Sequence, residues 1–406
     1  MKIIECRSCK SKKLVEIFSL GNQKLTGVFP TSKKQKVSGG NLDLILCKNC
    51  TLLQLKHSFD ANEMYGENYG YMSSLNASMI EHLKKKSRSL INLSQLKKNE
   101  IVLDIGSNDG TFLSFFSKKN LLIGIDPTIK KFKNFYRKDI IKIPDFFSFK
   151  NIKESIGKKK VKLITSISMF YDLENPVDFA KDIEKTLDNN GIWHLEQSYM
   201  PTMLKNNSYD TICHEHLEYY SLTSLEYIFN KAKLRIIDIS LNSINGGSFA
   251  ITVCKKNSKI KSNIDVLKWM KNEERKLKLK DIKTYKNFFE NIKKQSKTLK
   301  NLLINLKKNK KKVVGYGAST KGNVILQHAK INENLLPLIL DVNKFKFGRF
   351  TPGTQIKIVD EKYLKKIKPD YLLVLPWHFK NFILKKEKKF LKNNKIIFPL
   401  PEVEIY

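Results

Sequence analysis

The sequence lacks long apolar runs. None of its stretches approaches the roughly 18 to 20 consecutive apolar residues that a helix needs to cross a bilayer. The opening residues, Met-Lys-Ile-Ile-Glu-Cys, lead directly into a cysteine motif and contain no apolar segment of the kind found in signal peptides. We therefore expect a cytoplasmic protein that has no membrane partner.

Arginine is also scarce. Six of the 75 basic residues are arginine, so the formal net charge of +36 comes almost entirely from lysine. A charge of this size ordinarily indicates nucleic acid or an anionic membrane as the partner. Arginine, however, is the residue suited to bidentate contacts with phosphates and bases, and the lysines are spread along the whole chain. We expect no nucleic-acid partner and keep RNA binding as the alternative.

Cysteine is rare, but four of the six cysteines form two Cys-x-x-Cys pairs, Cys6 with Cys9 and Cys47 with Cys50. Each pair can form a tight turn that offers two sulfurs, and two such turns can enclose one Zn²⁺ tetrahedrally. Disulfides, which a reducing cytosol disfavours, and buried free thiols are the alternatives. We predict a structural zinc site, because four thiolates leave no coordination position open for chemistry.

The dinucleotide-binding spacing GxGxxG is absent, but residues 101–116, IVLDIGSNDGTFLSFF, contain a related pattern. It predicts a buried strand, a turn and a helix that begins near Phe112. The next strand, LLIGIDP, ends in an aspartate that can accept hydrogen bonds from both hydroxyls of a ribose. Glycines in such a turn let a ligand approach the backbone. The residues expected to contact the ligand are Asp104, Gly106, Asn108, Gly110 and Asp126.

These features together resemble the S-adenosylmethionine site of class I methyltransferases, and another adenosyl or phosphate ligand is the alternative. Further along, the strand VKLITSISMF, a helix from Pro176 to Leu187 and the strand GIWHLEQSY follow one another. This alternation predicts an α/β fold, a doubly wound sheet that binds its ligand at the carboxyl ends of its strands. With 406 residues, two or three domains are expected.

The second half of the chain changes character. Residues 258–312 are rich in lysine and have apolar residues at helical intervals, which predicts a pair of amphipathic helices. The stretch KKVVGYGASTKGNVILQ then repeats the order of strand, glycine loop and helix, and LPLILDVN and DYLLVLPWHF supply further strands. A second, smaller α/β domain is therefore expected. Its loop could hold a phosphate on its backbone amides near Lys321, and packing of the helix on the sheet is the alternative.

The stretch 208–221, SYDTICHEHLEYYS, gathers two histidines, two glutamates and three tyrosines. In an extended chain His214 and His216 would point to one side and Glu215 to the other. The pair could then bind a metal, exchange a proton with a substrate, or hydrogen-bond a loop.

The order of these motifs resembles that of the three-domain sugar C-methyltransferases, which act on nucleotide-linked deoxysugars. The motifs that carry the likeness are CxxC…CxxC, YGENYGYMSSLN, LDIGSNDGTFL, EQSYMPTML…YDTICHEHLEYYSL, NGGSF, and GYGASTKGNVILQ with PGT and LVLPWHF. The resemblance implies a zinc-binding domain over residues 1–72 and a central Rossmann-like methyltransferase domain over residues 73–257. Residues 258–406 would form a helical connector and a C-terminal Rossmann-like domain that helps to hold the sugar nucleotide.

In that family a 4-keto sugar loses a proton from C3, and the enolate attacks the methyl group of S-adenosylmethionine. The resemblance implies His216 as the base, since histidine supplies a pKa near neutrality. His214 and Glu215 would orient it or bind the sugar, and Tyr69 or Tyr71 would donate a hydrogen bond to the oxyanion. A cofactor contact is expected at Ser168. Substrate contacts are expected at Glu196, Tyr199, Tyr219, Asn245, Gly317 and Lys321.

The sequence departs from the family at two positions. Cys213 and, approximately, Tyr171-Asp172 stand where family members often have tyrosine and histidine. The resemblance therefore supports transfer of a methyl group more strongly than it supports C3 as the carbon that is methylated. The competing hypotheses are a metal enzyme that uses His214, Glu215 and His216, an RNA-modifying methyltransferase, and a sugar-nucleotide-binding protein without catalytic activity. The sequence does not distinguish a monomer from a homo-oligomer.

Overall fold

Three β-sheets organise the part of the chain that the computed structural model describes, which is residues 1–60, 64 and 71–406. The strands are numbered in chain order. They are β1 (Leu14–Lys24), β2 (Gly39–Cys47), β3 (Leu53–Leu55), β4 (Ile101–Ile105), β5 (Leu121–Ile125), β6 (Ile141–Ile143), β7 (Val161–Ile167), β8 (Leu187–Ser198), β9 (Glu218–Tyr219), β10 (Leu234–Asn242), β11 (Ser248–Lys255), β12 (Val313–Tyr316), β13 (Leu338–Asp341), β14 (Lys357–Asp360), β15 (Tyr371–Val374), β16 (Lys395–Phe398) and β17 (Glu404–Ile405).

Helices connect most of these strands. The α-helices are α1 (Ala77–Ser94), α2 (Ile129–Phe132), α3 (Phe149–Ile156), α4 (Pro176–Thr186), α5 (Met200–Lys205), α6 (Leu222–Lys231), α7 (Ile264–Lys276), α8 (Ile282–Lys308), α9 (Thr320–His328), α10 (Leu364–Ile367) and α11 (Lys380–Lys386). Short 3-10 helices lie at Ser73–Leu75, Leu113–Phe115, Lys133–Phe135, Phe170–Asp172, Tyr209–Thr211, Ile244–Gly246, Lys344–Lys346, Glu361–Tyr363, Trp377–Phe379 and Phe390–Lys392.

The N-terminal sheet is antiparallel and has the order β1-β2-β3-β9. Its fourth strand comes from the histidine-rich segment, more than 160 residues further along the chain, and pairs Gln54 with Glu218 and Leu53 with Tyr219. The sheet that carries the cysteine pairs is therefore completed by the segment that contains His214 and His216.

The central sheet has the order β10-β11-β8-β7-β4-β5-β6. Strands β4 to β8 are parallel, and β11 is antiparallel between β8 and β10. All five residues of β4 are buried, as expected for a strand that is covered on both faces. The carboxyl ends of β4, β5 and β7 therefore meet along one edge, where the glycine loop begins.

Two helices of this region follow the sequence pattern and one does not. Helix α1 buries Met79, Leu83 and Leu90, whose spacing places them on one face of a helix, and α4 begins at Pro176 as predicted. The helix predicted near Phe112 is wrong, because this stretch forms a single 3-10 turn, Leu113–Phe115. The chain returns to β5 at Leu121, which leaves room for no more than about two helical turns after Phe112.

The C-terminal sheet has the order β14-β13-β12-β15-β16-β17 and is parallel except for its last strand. The predicted pair of amphipathic helices precedes it as α7 and α8. Helix α8 buries an apolar stripe and leaves most of its lysines exposed. The buried aromatic and aliphatic residues of α8 are Tyr285, Phe288, Ile292, Leu299, Leu303 and Leu306.

Clusters of buried apolar residues connect the three sheets. One cluster joins Leu44 of the N-terminal sheet to Tyr209 and to Val314 of the C-terminal sheet. Another joins the buried cysteines to the central sheet around Trp193. The predicted α/β fold, with a four-cysteine site, a central Rossmann-like sheet and a C-terminal parallel sheet, is confirmed, while the domain boundaries stay predictions. Among the described residues, no helix has both the length and the apolar character needed to cross a membrane.

Candidate active site and four-cysteine centre

The four cysteines of the two pairs come together as predicted. Their sulfur atoms all lie within 4.8 Å of one another, with Cys6 3.5 Å from Cys50 and Cys9 3.5 Å from Cys47. Four sulfurs about 2.3 Å from one Zn²⁺ would be separated by roughly 3.8 Å in a tetrahedron, so the arrangement fits zinc. No other group of three or more potential metal ligands is found among the residues described.

Two similar turns build this centre. The amide of Lys10 donates to the Cys6 carbonyl and the amide of Thr51 to the Cys47 carbonyl, both at 3.0 Å. Lys10 and Thr51 each adopt positive φ, at 57° and 62°, which reverses the chain directly after the second cysteine of each pair. The Gln54 side chain donates to the Cys6 thiol at 3.2 Å. Hydrogen bonds from the Cys50 and Cys6 thiols lower the pKa of Cys47, which favours the thiolate that a metal ion binds.

The glycine loop after β4 requires glycine at two positions. Gly106 and Gly110 have φ of 72° and 76°. A Cβ atom at Gly106 would lie 3.0 Å from Met169 Cγ, and one at Gly110 would lie 2.6 Å from the Tyr136 ring. The Tyr136 hydroxyl donates to the Asn108 carbonyl at 2.9 Å, so this tyrosine supports the loop. Tyr136 was not predicted from the sequence, and no local pattern distinguishes it.

Asp104 and Asp126 lie at the ends of β4 and β5, as expected. Burial raises the pKa of Asp104 to about 7, and its carboxyl accepts a hydrogen bond from Thr165 Oγ1 at 2.6 Å. Asp126 accepts from the amides of Asn108 and Thr128, at 2.9 and 2.7 Å, and from the Thr128 hydroxyl at 2.6 Å. A carboxylate offers about four acceptor positions, so one remains for a ribose hydroxyl. These residues fit an S-adenosylmethionine site.

The segment before α1 is attached to this loop. The amides of Ser73 and Ser74 donate to the side chains of Asn108 and Asp109, at 3.0 and 2.9 Å, and Asn108 Nδ2 donates to the Tyr71 carbonyl at 3.2 Å. The Tyr71 backbone therefore lies beside the cofactor loop, and the residue is 46% exposed. Both polar atoms of the Asn108 side chain are therefore hydrogen-bonded to the segment before α1. Tyr69, which was predicted as an alternative hydrogen-bond donor to the oxyanion, lies outside the described residues.

The His-Glu-His stretch is a turn, so the expectation of an extended chain is wrong. The amide of His216 donates to the Cys213 carbonyl at 3.1 Å and closes the turn. The three side chains consequently have separate partners. His214 Nε2 lies 3.4 Å from the Gly40 carbonyl, and Glu215 accepts from Thr26 Oγ1 at 3.2 Å. The two histidines do not share a metal-binding face, which removes the geometric basis of the metal-enzyme hypothesis.

His216 has the geometry of a neutral base. Its Nδ1 lies 2.7 Å from the Thr211 carbonyl, which can only accept, so the proton sits on Nδ1 and Nε2 keeps its lone pair. Burial and the Lys321 charge lower the pKa of His216 to about 3, which keeps the ring neutral but lies well below the near-neutral pKa expected from the sequence. Its ring lies 4.1 Å from that of Tyr171. The residues that line the small cavity beside it are Tyr171, Ser198, Met200, Met203, Thr211, His216, Glu218 and Tyr219.

Lys321 reaches this site from the C-terminal domain. Its ammonium group donates to Thr211 Oγ1 at 3.1 Å and to the Asn245 carbonyl at 2.8 Å. Asn245 Nδ2 in turn donates to Ser168 Oγ at 3.2 Å. The structure thus brings together three residues that were predicted separately as substrate or cofactor contacts.

The glycine loop of the C-terminal domain offers little to a phosphate. The Gly317 amide donates to the Leu340 carbonyl, and the Ala318 amide donates to Asp341, both at 2.7 Å. The Gly322 amide donates to Ser319 Oγ at 3.0 Å. A Cβ atom at Gly317 would lie 2.7 Å from Pro376. The geometry favours helix-sheet packing, and the prediction of Gly317 as a substrate contact gains no support.

Two further predicted substrate contacts are occupied by structural partners. Glu196 accepts from His82 Nε2 and Lys86 Nζ, both at 2.6 Å, and from Asn242 at 2.9 Å. Although burial alone would raise the pKa of Glu196, His82 and Lys86 lower it to about 2. The Tyr199 hydroxyl donates to Glu274 at 2.8 Å. Glu196 therefore holds α1 and Tyr199 holds α7, and the predictions of these residues as substrate contacts gain no support from these partners.

Family models match nearly the whole chain in three consecutive parts. Residues 6–65 match the model described as "Putative zinc binding domain", residues 79–239 match "Methyltransferase domain" and residues 243–401 match "C-methyltransferase C-terminal domain". The matches follow the order of the three sheets. Fold and cofactor loop together define a three-domain methyltransferase, which confirms the predicted class of enzyme.

One curated relative, a C-methyltransferase, is similar over nearly the whole chain. The C-methyltransferase NovU of Streptomyces niveus is 27% identical over an alignment of 411 residues, which covers 99% of this chain and 97% of NovU. The protein is an S-adenosylmethionine-dependent C-methyltransferase.

The two solved methyltransferases compared next each cover less than half of this chain. The plantazolicin methyltransferase BpumL in complex with SAH superposes with a TM-score of 0.34 and 15% identity, over 43% of this chain and 82% of its own. An S-adenosylmethionine-dependent methyltransferase from Clostridium acetobutylicum ATCC 824 superposes with a TM-score of 0.35 and 11% identity, over 43% and 92%. Similarity at these TM-scores carries no argument about substrate or mechanism.

Proposed function

We propose that the protein methylates a carbon next to the carbonyl group of a nucleotide-linked 4-keto deoxysugar. The observation that carries the proposal is His216, whose Nδ1 proton is held by the Thr211 carbonyl while Nε2 stays free to accept a proton. A carbon acid next to a carbonyl needs such a base. Resemblance of the motifs to sugar C-methyltransferases supports the sugar nucleotide as the substrate class.

In the proposed reaction His216 Nε2 takes the proton from the carbon next to the carbonyl. The electrons of that C–H bond form a carbon–carbon double bond, and the carbonyl electrons move to oxygen to give an enolate. When bound, S-adenosylmethionine supplies an electrophilic methyl group, which joins the carbon as the C–S bond breaks and S-adenosylhomocysteine is left. The proton on His216 then passes to water.

Other residues position the reactants. Gly106, Gly110 and Asp126 hold the cofactor at the carboxyl ends of β4 and β5. Lys321 and Asn245 bring the C-terminal domain against the base, so that a substrate that spans the two domains meets His216. The four-cysteine centre holds a structural zinc ion, since all four ligand positions are protein thiols.

Calorimetric titration tests this proposal. The purified protein is titrated with S-adenosylhomocysteine and separately with dTDP, GDP, UDP and a short RNA, at two salt concentrations. We expect the cofactor product and one nucleoside diphosphate to bind with little dependence on salt. Binding of RNA that falls steeply with salt, without binding of any nucleoside diphosphate, would contradict the proposal and favour an RNA-modifying enzyme.

A further inference from the structure

Three polar groups around the cavity beside His216 lack a hydrogen-bond partner within the described part of the chain. The atoms are Ser198 Oγ, Glu218 Oε1 and Tyr219 Oη, and all three residues line the cavity. Glu218 is 1% exposed and Tyr219 is 4% exposed. Buried polar atoms are nearly always paired in native proteins, so three unpaired atoms grouped around one cavity indicate groups that pair with a ligand or with ordered water.

Glu218 is held rigidly at this cavity. It lies in β9, and its backbone faces Gln54 of the N-terminal sheet. Its Oε2 accepts a hydrogen bond from the Tyr220 hydroxyl. Oε1 is the atom left without a partner, so the two carboxyl oxygens have different roles. Glu218 was not among the predicted site residues.

The surroundings of Glu218 favour its neutral form. Burial raises the pKa of Glu218 to about 8, while the Tyr220 hydroxyl and the charges of Arg7 and Lys10 act in the opposite direction and Glu174 adds to the rise. His216, Tyr171 and Tyr219 are the other titratable groups of the cavity wall, and burial together with Lys321 keeps His216 uncharged. Because Oε2 accepts from Tyr220, the proton belongs on Oε1 and can be donated into the cavity.

We propose that Ser198, Glu218 and Tyr219 form a hydrogen-bonding subsite for the oxygen atoms next to the reacting carbon, in which the Glu218 carboxyl group donates to the carbonyl oxygen. The subsite deepens the proposed function and rests on it, because a keto-sugar offers both a carbonyl and hydroxyl groups. The carbonyl oxygen gains negative charge when His216 removes the proton. A donor fixed beside that oxygen stabilises the enolate more than the ketone, which lowers the barrier. Ser198 and Tyr219 bind neighbouring hydroxyl groups.

A proton-exchange experiment tests this role. Protein saturated with S-adenosylhomocysteine is mixed in D2O with the 4-keto-6-deoxyglucose derivative of whichever of dTDP, GDP and UDP binds in the titration, and loss of a proton from the carbons next to the carbonyl is followed by NMR. Methyl transfer cannot occur, so the rate reports enolate formation alone. We expect Glu218→Leu to slow exchange by about 10²-fold to 10³-fold, the usual effect of removing one such donor, with a smaller change in KM.

The dependence on pH separates a donor from a structural group. In the wild-type protein the exchange rate should fall above about pH 8, where Glu218 loses its proton. Glu218→Gln keeps the shape and an N–H donor, so exchange should persist at a reduced rate without that alkaline fall. An equal alkaline fall in Glu218→Gln, or Glu218→Leu that folds and exchanges at the wild-type rate, would overturn the proposal. Glu226→Gln, an ion-paired carboxylate on α6, is the matched control.

A second measurement does not depend on the substrate. Infrared difference spectra of the substrate-free protein between pH 6 and pH 9, compared with those of Glu218→Gln, show whether the Glu218 carboxyl group titrates in this range. A carboxyl signal present only in the wild type is expected, and its absence overturns the inference. If the signal is present but the wild-type protein neither binds nor exchanges the sugar nucleotide, the proposed function has failed and the assignment of Glu218 as a neutral acid stands.

Discussion

Gln54 and Glu218 are partners across strands β3 and β9, and the Gln54 side chain donates to the Cys6 thiol. One residue thus contacts the four-cysteine centre with its side chain and the active-site strand with its backbone. Arg7, within the first cysteine turn, strengthens the connection. Its guanidinium group pairs with Glu174 at 3.0 Å and donates to the Leu55 carbonyl at 2.6 Å. The four-cysteine centre is therefore tied to the sheet whose last strand carries Glu218 and Tyr219.

Loss of the metal should consequently affect catalysis. We expect Cys47→Ser to release zinc, to lower the thermal unfolding temperature and to reduce methyl transfer, because zinc binding contributes folding free energy to the N-terminal sheet. Metal content by atomic spectroscopy and the unfolding temperature by calorimetry check this. Cys254→Ser, at a buried cysteine outside the centre, should keep its zinc. A stable, metal-free and fully active Cys47→Ser protein would refute a structural zinc ion.

His216→Asn should remove turnover but leave the affinity for S-adenosylhomocysteine unchanged. A general base contributes about 10²-fold to 10⁴-fold to the rate, and His216 is placed to act on the substrate rather than on the cofactor loop. Turnover and calorimetric affinity are measured on the same preparation. His328→Asn is a matched control, because His328 also lies close to a backbone carbonyl, that of Leu20, at 3.3 Å. Unchanged turnover in His216→Asn would exclude it as the base.

Asp126→Ala should weaken S-adenosylhomocysteine binding by about 1 to 3 kcal/mol, because the ribose loses a charged acceptor and the Asn108 amide loses its partner. The chain contains a matched control. Asp341 accepts from the amides of Ala318 and Asn343, both at 2.7 Å, just as Asp126 accepts from those of Asn108 and Thr128. Calorimetry should therefore show near wild-type affinity for Asp341→Ala. Equal losses in the two variants would mean that the effect is one of general stability.

Acid should destabilise the protein through its buried histidines. Burial, with the Lys86 charge, lowers the pKa of His194 to about 3, whereas the unfolded residue has a pKa of about 6.5. Between these values the unfolded chain binds a proton that the folded chain does not, so stability falls as the pH falls. At pH 5 His194 alone should cost about 2 kcal/mol relative to pH 7.

Urea unfolding of wild type and His194→Gln at pH 7 and pH 5 checks this value. The variant should lose less stability between the two pH values than the wild type. It should still lose some, because burial lowers the pKa of His216 and that of His378 to about 3 as well. The same pH dependence in both proteins would show that His194 is not held neutral by the fold.

Short-range patterns were read correctly from the sequence. Two residues between the cysteines of each pair are enough to form the turns at Cys6 and Cys47, and the apolar spacing of α8 is a property of its own residues. The glycine loop is likewise local, since positive φ at Gly106 and Gly110 follows from the tight turn between β4 and the next segment. Asp104 and Asp126 could be placed because parallel strands end at a common edge.

Partners that lie far away in the chain could not be predicted from the sequence. Tyr199 binds Glu274, Glu196 binds two side chains of α1, and the Gly317 amide binds a carbonyl of β13. The turn at His214 and His216 was also missed, because it is held by contacts with residues 26 and 40 of the N-terminal domain. Glu218 was passed over altogether, since its burial comes from β3 and from the packing around Arg7.

The sequence by itself determined which chemical groups are present and how some short segments fold: two cysteine turns, a cofactor loop with an acidic residue on either side, and a histidine able to act as a base. Only the tertiary structure decided which of these groups share a cavity and which are bound to one another. The reason is physical, because burial and hydrogen-bond partners set the charge and availability of a side chain, and both are supplied by segments far away in the chain.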